Sequence, residues 1–563
     1  MDNKEGHVVI LLFPSECAYQ EISNIPPLAL GVLKGYLEEK GIATDIYDLN
    51  VTLHKRRNEI LINRWDFVYD AGRVINFMHG EKDEEVENAL EELVGKIDFN
   101  TYDLIGVSLG ADFSWLEMHG GMMLAKWLRD KYQRPVEIGG NNVHYLLQFK
   151  SDFMQLWEGL VDADIHICVG PGETMLHTMV KMIKSGGIDA EKLHMLSGAV
   201  WKEDNEIRAN DQDVPSLAMP DFEGLDLDAY KICINAPGTE QAQNLNEMHI
   251  LKWPQPYPQT VSIINRATLP EEEKKELLVI PYIFNYNCPF RCAFCVQSGD
   301  DKKKIVVKPT EVILDEIEAL MNKYQSNFFY FYNNTFNYSR KFVVEFCEGV
   351  KRRGLKFFWT DCARFNNLDP ELVKMLYESG CRKLVFGFET GSNKLLNLFD
   401  KRLDLDHAVN VMRWCKEAGI WTDIEVIVGL PYELEEDFQD TVRFIETNSH
   451  LINHFALNKY FVVPDSLLGR YPQNYGIKLV RVRQRYKMLL EMARRTYIER
   501  KTGGNVASNF QVYRYNEING RTYKEIIEQT NDKVKRLVQV YMNLPIAEET
   551  RVLEWKHNKL TEN

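Results

Sequence analysis

The chain has 563 residues, of which 45% are hydrophobic and 26% are charged, and its net charge is −15 at pH 7. This length exceeds what a single core supports and predicts about three or four folded units. A chain this acidic lacks the clustered Lys and Arg that bind nucleic-acid backbones, so a general affinity for nucleic acid is excluded. The sequence shows neither an apolar run long enough to cross a bilayer nor a signal peptide, which predicts a cytoplasmic protein with no membrane partner.

The first part of the chain alternates predicted strands and helices. Buried strands are predicted at 8–13, 43–47, 104–108, 136–138 and 165–169, with helices at 27–40 and 117–131 and a helix-rich insert before Ile97. Strands this apolar have no solvated face, so we expect helices on both sides of a parallel sheet. Residues 1–214 are therefore predicted to form a Rossmann-like, doubly wound α/β domain.

Glycine-bearing loops follow the last three of these strands. They contain Gly110, then Gly139-Gly140-Asn141, then Gly170-Pro171-Gly172-Glu173. Ligands of doubly wound sheets bind at the carboxyl ends of the strands, which makes these loops a candidate binding edge. Glycine is also the ordinary residue of any tight turn, so each loop taken alone is equally well explained as a turn.

Residues 215–275 are rich in Pro, Asn and Gln and are predicted to be a linker or insertion. A segment of this composition could fold over the mouth of the following domain. A plain extended linker is the favoured interpretation.

Three cysteines follow the next predicted strand, in the run Asn287-Cys288-Pro289-Phe290-Arg291-Cys292-Ala293-Phe294-Cys295. The spacing Cys-x3-Cys-x2-Cys lets one tight loop turn three thiolates toward a single centre. A structural zinc site uses four protein ligands, whereas a four-iron, four-sulfur cluster with three cysteine ligands leaves one iron open. The alternative is three ordinary buried cysteines, but the other seven of the ten cysteines are scattered without paired spacing.

From residue 276 to residue 468 the pattern predicts six strand–helix units. The strands are predicted at 277–284, 327–332, 356–360, 383–388, 422–428 and 456–463. Functional groups in parallel barrels lie at the carboxyl ends of the strands, so the residues that follow each strand are the informative ones.

With Phe294 before the third cysteine, the loop resembles the signature of the radical S-adenosylmethionine (SAM) superfamily, whose partial (β/α)6 barrel has six such units. The order of the glycine loops, and the stretch Asp221-Phe222-x-x-Leu225, resemble the cobalamin domain and connector of the cobalamin-dependent radical SAM enzymes. These resemblances imply a cluster bound by Cys288, Cys292 and Cys295, SAM on the open iron, and cobalamin.

The resemblance also implies a SAM pocket at the strand ends of the barrel. Asn333 and Asn334 stand where the family presents groups to the SAM ammonium, although an amide adds no charge there. Arg364 suits the SAM carboxylate, and Glu389 resembles the carboxylate that binds the SAM ribose or amino group. A structural ion pair involving these two residues is the alternative. The turn against which adenine lies is represented by Gly429 and Pro431, and Lys401 matches a basic position without an assigned role.

For cobalamin, the resemblance implies a base-off cofactor. No Asp-x-His-x-x-Gly follows the first strand, where Ser15-Glu16-Cys17-Ala18 stands instead. The nucleotide tail would thread between the glycine loops, so a side chain at Gly140 or Gly172 would fill its channel. The expected cobalamin contacts are Gly110, Asp112, Phe113, Ser114, Trp115, Gly139, Gly140, Asn141, Gly170, Gly172 and Glu173.

The tail, 469–563, is predicted to be a helical domain. Its segment 480–501 carries a basic face that is expected to be solvated; contact with an anionic substrate is the minority interpretation.

The activity that the resemblance implies is methyl transfer to an unactivated carbon: SAM cleavage gives a 5′-deoxyadenosyl radical that abstracts hydrogen, and methylcobalamin donates the methyl group. One alternative is a rearrangement or cyclisation in which the cobalamin domain is repurposed or vestigial. Another is a non-catalytic corrin or iron–sulfur carrier, which the Arg364 and Glu389 positions disfavour because a carrier needs no SAM pocket. The expected partners are a small-molecule or peptide substrate and an electron donor such as flavodoxin or ferredoxin.

Overall fold

The computed structural model describes residues 6–15, 18, 23, 25–56, 65–110, 115–148, 153–234, 277–298, 304–463, 465–481, 513–542 and 553–555. Two sheets made mainly of parallel strands organise these residues, one in each half of the chain. No helix within these ranges is both long and apolar enough to cross a membrane.

The first sheet has seven strands in the order β2-β1-β3-β4-β5-β6-β7. Its first five strands are parallel, as the sequence predicts. The last two form an antiparallel hairpin that the sequence analysis does not include. Its turn places Asp204 and Asn205 at φ values of 50° and 60°, a conformation that these residue types tolerate. The strands are Gly6–Leu12 (β1), Ile42–Asp48 (β2), Leu104–Ser108 (β3), Val136–Gly139 (β4), Ile165–Cys168 (β5), Ala199–Glu203 (β6) and Glu206–Ala209 (β7).

Helices cover both faces of this sheet. Val9 and Leu11 of β1 belong to one buried cluster, while Val8 and Ile10 belong to a second cluster on the opposite face. This alternation is that of a strand buried on both sides, and it confirms the doubly wound prediction. The helices are Leu28–Glu39, Leu49–Lys55, Ala71–Met78, Glu84–Val94, Trp115–Tyr132, Asn141–Gln148, Met154–Asp162, Glu173–Lys184 and Ala190–Leu193.

The connector between the two halves packs against both. Phe222 is buried in the hydrophobic cluster of the barrel, and a Cβ on Gly31 of the first domain would lie 2.3 Å from its ring. Asp221 accepts hydrogen bonds from Lys323 (2.8 Å) and from the hydroxyl of Tyr324 (3.0 Å). A short strand, Ile232–Ile234 (β8), ends the described part of the connector, and 235–276, most of the predicted insertion, lies outside the described residues.

The second sheet has six parallel strands in the order β16-β15-β14-β13-β12-β9. A small antiparallel pair, Asn285–Tyr286 (β10) and Val306–Val307 (β11), follows its first strand. The six strands are Val279–Tyr282 (β9), Phe328–Phe331 (β12), Phe358–Ala363 (β13), Cys381–Glu389 (β14), Trp421–Val428 (β15) and His454–Lys459 (β16). The helices of this half are Thr310–Tyr324, Arg340–Arg353, Pro370–Glu378, Asn393–Leu398, Leu405–Ala418, Glu435–Thr447 and Leu467–Arg470. The predicted partial barrel is confirmed.

The tail is helical at Tyr523–Met542. It also contains an antiparallel pair, Ile477–Arg481 (β17) and Tyr513–Glu517 (β18), and a strand, Leu553–Trp555 (β19), that pairs with β8. Val480, where the predicted basic helix begins, therefore lies in a strand; buried Ile477 beside exposed Lys478 gives this segment a period of two. The rest of the predicted basic segment, 482–501, lies outside the described residues.

Candidate active site at the mouth of the barrel

The three-cysteine loop is fixed at both ends and at its centre. Asn287 enters it with φ at 65° and donates from Nδ2 to the Lys304 carbonyl at 2.9 Å. Ala293, between the second and third cysteines, donates its N–H to the Phe399 carbonyl (2.9 Å) and accepts from the Leu468 N–H (2.9 Å). The loop is therefore held by neighbouring segments of the fold rather than by its own turn alone.

The three thiols lie close enough to affect one another. Burial, together with the neighbouring Cys292 and Cys288, raises the pKa of Cys295 to about 11, while Lys401 opposes them. Within the described residues, no three His, Cys, Asp or Glu side chains converge tightly enough to hold a single metal ion. The raised pKa values of Cys288 and Cys295 mean that a metal would have to displace the protons of these two thiols.

Arg364, at the end of β13, contacts this loop directly. Its Nη1 donates to Cys292 Sγ at 3.4 Å, and its Nη2 donates to the Lys401 carbonyl at 2.5 Å. The guanidinium carbon lies 4.0 Å from the centroid of the Phe290 ring. Its Nε is buried and has no hydrogen-bond partner among the described residues.

Glu389 does not pair with Arg364. Its Oε1 accepts from Lys401 Nζ at 2.7 Å, and both side chains are buried. Glu389 has φ at 69° and follows a register shift between β14 and β15, a bulge that turns its side chain toward the mouth of the barrel. Gly387 accommodates the pair, because a Cβ there would lie 2.6 Å from Lys401 Nζ. Lys401 is thus the partner of Glu389, and it also lies 5.9 Å from the centroid of the Phe294 ring.

The two asparagines after β12 differ. Asn333 Oδ1 accepts from the backbone N–H groups of Phe284 (3.1 Å) and Asn285 (2.9 Å), and its Nδ2 donates to Asp361 at 2.6 Å. Asn333 therefore ties three strand ends together. In Asn334 the Nδ2 is buried and has no hydrogen-bond partner in the part of the chain that the structure describes.

Gly429 forms the turn after β15 and is held from two sides. Its N–H donates to Glu433 at 2.9 Å, and its carbonyl accepts from the Tyr515 hydroxyl at 2.5 Å. With φ at 86°, it would also bring a Cβ within 2.5 Å of Thr530. Pro431 is buried in the same turn.

Glu433 is a further residue of this turn, which the sequence did not predict. It is buried and forms an ion pair of 2.9 Å with the buried Lys533 of the tail helix. The spacing Gly-Leu-Pro-x-Glu is the local signal that could have identified it, but its lysine partner lies 100 residues further along the chain.

At the carboxyl edge of the first sheet, close backbone packing requires a glycine at one position, and a side chain fixes the loop beside it. Gly140 has φ at 105°, and a Cβ there would lie 1.9 Å from the Leu109 carbonyl oxygen. The Gly110 N–H donates to Glu117, which also accepts from Asn142 at 2.8 Å. Trp115 is buried and begins the following helix, while the predicted contacts Asp112, Phe113 and Ser114 lie outside the described residues.

The remaining predicted contacts of this edge lie around the ends of β4 and β5. Gly172 has ordinary φ, −86°, and the nearest atom to a Cβ there is Leu33 Cδ2 at 3.7 Å. Gly170 has φ at 90° and faces the flexible side chain of Gln212. Asn141 is exposed, and buried Glu173 accepts from Ser216.

Glu137 of β4, which the sequence analysis does not include, lies beside this edge. Its Oε1 is buried without a hydrogen-bond partner among the described residues, 3.0 Å from where a Gly139 Cβ would lie. Burial raises the pKa of this carboxyl to about 8.

The two edges meet. His144, in the helix after Gly140, lies 3.1 Å from Asp465, which follows β16 of the barrel. Burial raises the pKa of Tyr286, next to the cysteine loop, and the charge of Glu173 adds to the effect. The glycine edge of the first sheet therefore faces the mouth of the barrel.

Known proteins resemble the part of the chain that carries this site. The sequence model of the radical SAM superfamily matches residues 282–445. An uncharacterised methyltransferase of Pyrococcus horikoshii is 27% identical over 157 residues, which cover 28% of this chain and 34% of that protein. The anaerobic magnesium-protoporphyrin IX monomethyl ester cyclase of Cereibacter sphaeroides is 33% identical over 160 residues, 28% of this chain and 26% of that protein. The matched part thus spans about a third or less of these relatives.

A solved structure extends the likeness to the whole fold. The radical SAM methyltransferase TsrM of Kitasatospora setae, with cobalamin and a four-iron, four-sulfur cluster bound, has a TM-score of 0.54 at 17% identity, covering 85% of this chain and 81% of that one. The segment 282–445 therefore matches the radical SAM superfamily, and the chain shares over most of its length the fold of that solved structure.

Proposed function

We propose that the chain is a cobalamin-dependent radical SAM methyltransferase that acts on an unactivated carbon. The observation that carries the proposal is Arg364, whose guanidinium contacts the thiol of Cys292 while its Nε–H is buried and has no hydrogen-bond partner among the described residues. The Arg364 guanidinium lies at the carboxyl end of a parallel strand, beside the three thiols. This end of the barrel faces the glycine edge of the first sheet.

The residues fit a cluster with SAM on it. Cys288, Cys292 and Cys295 would hold three irons, and the nearby Arg364 and Lys401 would offset the negative charge of a thiolate-bound cluster. The buried donors Arg364 Nε and Asn334 Nδ2 are the kind of group that a carboxylate such as that of SAM would satisfy. The buried pair Glu389–Lys401 would supply the carboxylate for the SAM ribose or amino group.

The residues also fit a corrin nucleotide tail. A Cβ on Gly172, at the end of β5, would meet only ordinary van der Waals contacts, with Leu33 Cδ2 at 3.7 Å and Leu176 Cδ1 at 4.0 Å, so packing does not require a glycine there. Glu137 Oε1 is a buried acceptor without a partner in the described residues, next to the Gly139–Gly140 turn. A ligand with amide and hydroxyl donors would satisfy it.

When bound, the cluster and SAM would supply a radical that abstracts hydrogen, and cobalamin would supply the methyl group. The chain's own residues would bind and orient these groups and exclude water from them. Asn333 fixes the ends of β9 and β12 against Asp361. Tyr515 of the tail holds the Gly429 turn. Ala293 fastens the cysteine loop to Phe399 and Leu468. We further propose a flavodoxin- or ferredoxin-type protein as the electron donor.

A second candidate is an oxidative cyclisation, which the match to a cyclase over 160 residues favours. The same barrel site would serve it, because both reactions begin with SAM cleavage. The two differ in whether SAM also loses its methyl group.

The test is anaerobic reconstitution with iron and sulfide of protein produced with cobalamin, followed by incubation with deuteromethyl-SAM and a chemical reductant. We expect a corrin absorption spectrum, 5′-deoxyadenosine and S-adenosylhomocysteine. 5′-Deoxyadenosine without S-adenosylhomocysteine would favour cyclisation, and the absence of 5′-deoxyadenosine would contradict both. Cys292→Ala is the matched control for non-enzymatic cleavage.

A further inference from the structure

The lumen of the barrel carries polar side chains that the SAM pocket does not use. Alternate residues of the six strands, such as Phe331, Phe386 and Val426, pack outward into the buried hydrophobic cluster beneath the helices. Because side chains of a strand alternate between its two faces, their neighbours in sequence point into the lumen. These neighbours include Tyr330, Cys362, Lys383, Asp423, Glu425 and Asn458.

The lumen is accessible although its groups are poorly solvated. Tyr332 exposes 41% of its surface, yet burial raises the pKa of its hydroxyl. Because Tyr332 directly follows β12, this exposed side chain lies at the mouth of the lumen. Its ring centroid lies 4.6 Å from that of Tyr330, so the two tyrosines form an aromatic wall.

Glu425, on β15, is the lumen carboxylate without a cation of its own. Lys383 pairs with Asp423, and Lys401 pairs with Glu389. Among the described residues Glu425 forms no ion pair, and its contact is a hydrogen bond of 2.7 Å from Asn458 Nδ2 to Oε2. One carboxylate oxygen is thereby held while the side chain remains half-buried and faces the cavity.

Several strands surround this carboxylate, which places it near the centre of the cavity. Its charge acts on Tyr330 of β12 and Cys362 of β13. Burial, together with the charges of Glu389 and Asp423, raises the pKa of Glu425 to about 7 against the opposing effects of Asn458 and Lys383. The titratable groups that face it are Tyr330, Cys362, Lys383, Glu389, Asp423 and, beyond Asp423, His454.

We infer that Glu425 is a substrate-binding residue and that the substrate carries a protonated amine, held by this carboxylate beside the Tyr330–Tyr332 wall. The inference rests on the proposed function, since it names the substrate class of the same site. A cation is the group that an unpaired carboxylate in a cavity attracts most, and the tyrosine faces add cation–π attraction. A neutral substrate would leave the Glu425 charge uncompensated.

The test uses benzylamine, a small aromatic cation, and benzyl alcohol, its neutral counterpart, as probes of the full-length protein with SAM present. Binding is followed by ligand-observed NMR. Benzylamine binds ionised Glu425, so its affinity should rise roughly tenfold or more from about pH 5.5 to about pH 8.5, through the pKa of this carboxyl. Benzyl alcohol should bind more weakly and without that dependence.

Glu425→Gln should abolish the pH dependence for benzylamine, while Glu417→Gln, the same change on the exposed surface, should preserve it. Circular dichroism shows whether each variant is folded. If Glu425→Gln does not fold, the wild-type comparison of the two probes still decides. Benzylamine binding that is absent, independent of pH, or matched by benzyl alcohol would overturn the inference. A wild-type protein that makes no 5′-deoxyadenosine overturns the proposed function instead, so the two failures are distinguishable.

Discussion

The barrel mouth and the glycine edge of the first sheet are both strand-end sites, but they are built differently. At the barrel mouth, predicted residues are held by side-chain contacts: Arg364 by Cys292, Glu389 by Lys401 and Gly429 by Glu433. At the glycine edge, Gly140 is explained by the approach of the Leu109 backbone. A motif at the barrel mouth therefore identifies side chains that can bind a ligand. A motif at the glycine edge mainly identifies positions where the backbone packs closely, and Gly172 is the exception.

The largest effect is expected at the cysteine loop. Cys292→Ala should abolish cluster iron and SAM cleavage, because two remaining ligands cannot hold the cluster and Arg364 loses its thiol contact. Cys288→Ala and Cys295→Ala should behave alike. Iron content and 5′-deoxyadenosine are measured after reconstitution. Cys415→Ala, buried in the core behind β15, is the control that should retain both; full iron content in Cys292→Ala would refute the assignment.

The next largest effect tests the packing explanation. Gly140→Val should destabilise the first domain by about 4 kcal/mol or more, since its Cβ would overlap a backbone carbonyl in a turn that also needs positive φ. Denaturant unfolding of the apoprotein measures this effect. A stable Gly140→Val variant would mean that the fold does not require a glycine in this turn.

The sequence predicted the two parallel sheets because long apolar strands and regular helix spacing are local properties. It placed Cys288, Arg364 and Glu389 at strand ends for the same reason. It could not supply the partners of these groups, since Lys401 pairs with Glu389 only through a bulge in β14. Glu137 and Glu425 were missed because a carboxylate within a predicted strand is normally assigned to an exposed position. Only the folded structure shows that these two carboxylates face the sheet core and the barrel lumen.

A third effect concerns Glu137. Its folded pKa of about 8 is raised above that of an unfolded carboxyl, so the folded protein holds a proton that the unfolded chain has lost. Stability relative to Glu137→Gln should therefore fall as the pH rises from about 4.5 to about 8, by about 4 kcal/mol. Urea unfolding of both apoproteins at several pH values measures the difference, and parallel pH profiles would show that the carboxyl is solvated.

A smaller effect is expected at Arg364. Arg364→Lys keeps a positive charge near Cys292 but removes the forked donor, so SAM affinity should fall by about 1.5 to 3 kcal/mol while iron content is retained. Calorimetric titration of the reconstituted protein with SAM measures this loss. An unchanged SAM affinity in Arg364→Lys would mean that the arginine only supports the cysteine loop and does not bind SAM.

The smallest effect on stability, and the sharpest test of the comparison, is expected at Gly172. A valine there meets no atom closer than 3.7 Å to its Cβ and adopts an ordinary φ, so unfolding should change by less than about 0.5 kcal/mol. If the cobalamin tail runs beside Gly172, the same side chain should lower cobalamin occupancy severalfold, as read from the corrin absorbance per protein. SAM cleavage to 5′-deoxyadenosine should continue, because the barrel site lies on the other domain. A folded Gly172→Val protein with full cobalamin occupancy would show that packing alone explains this edge, and would favour a radical SAM enzyme whose first domain has lost its cofactor.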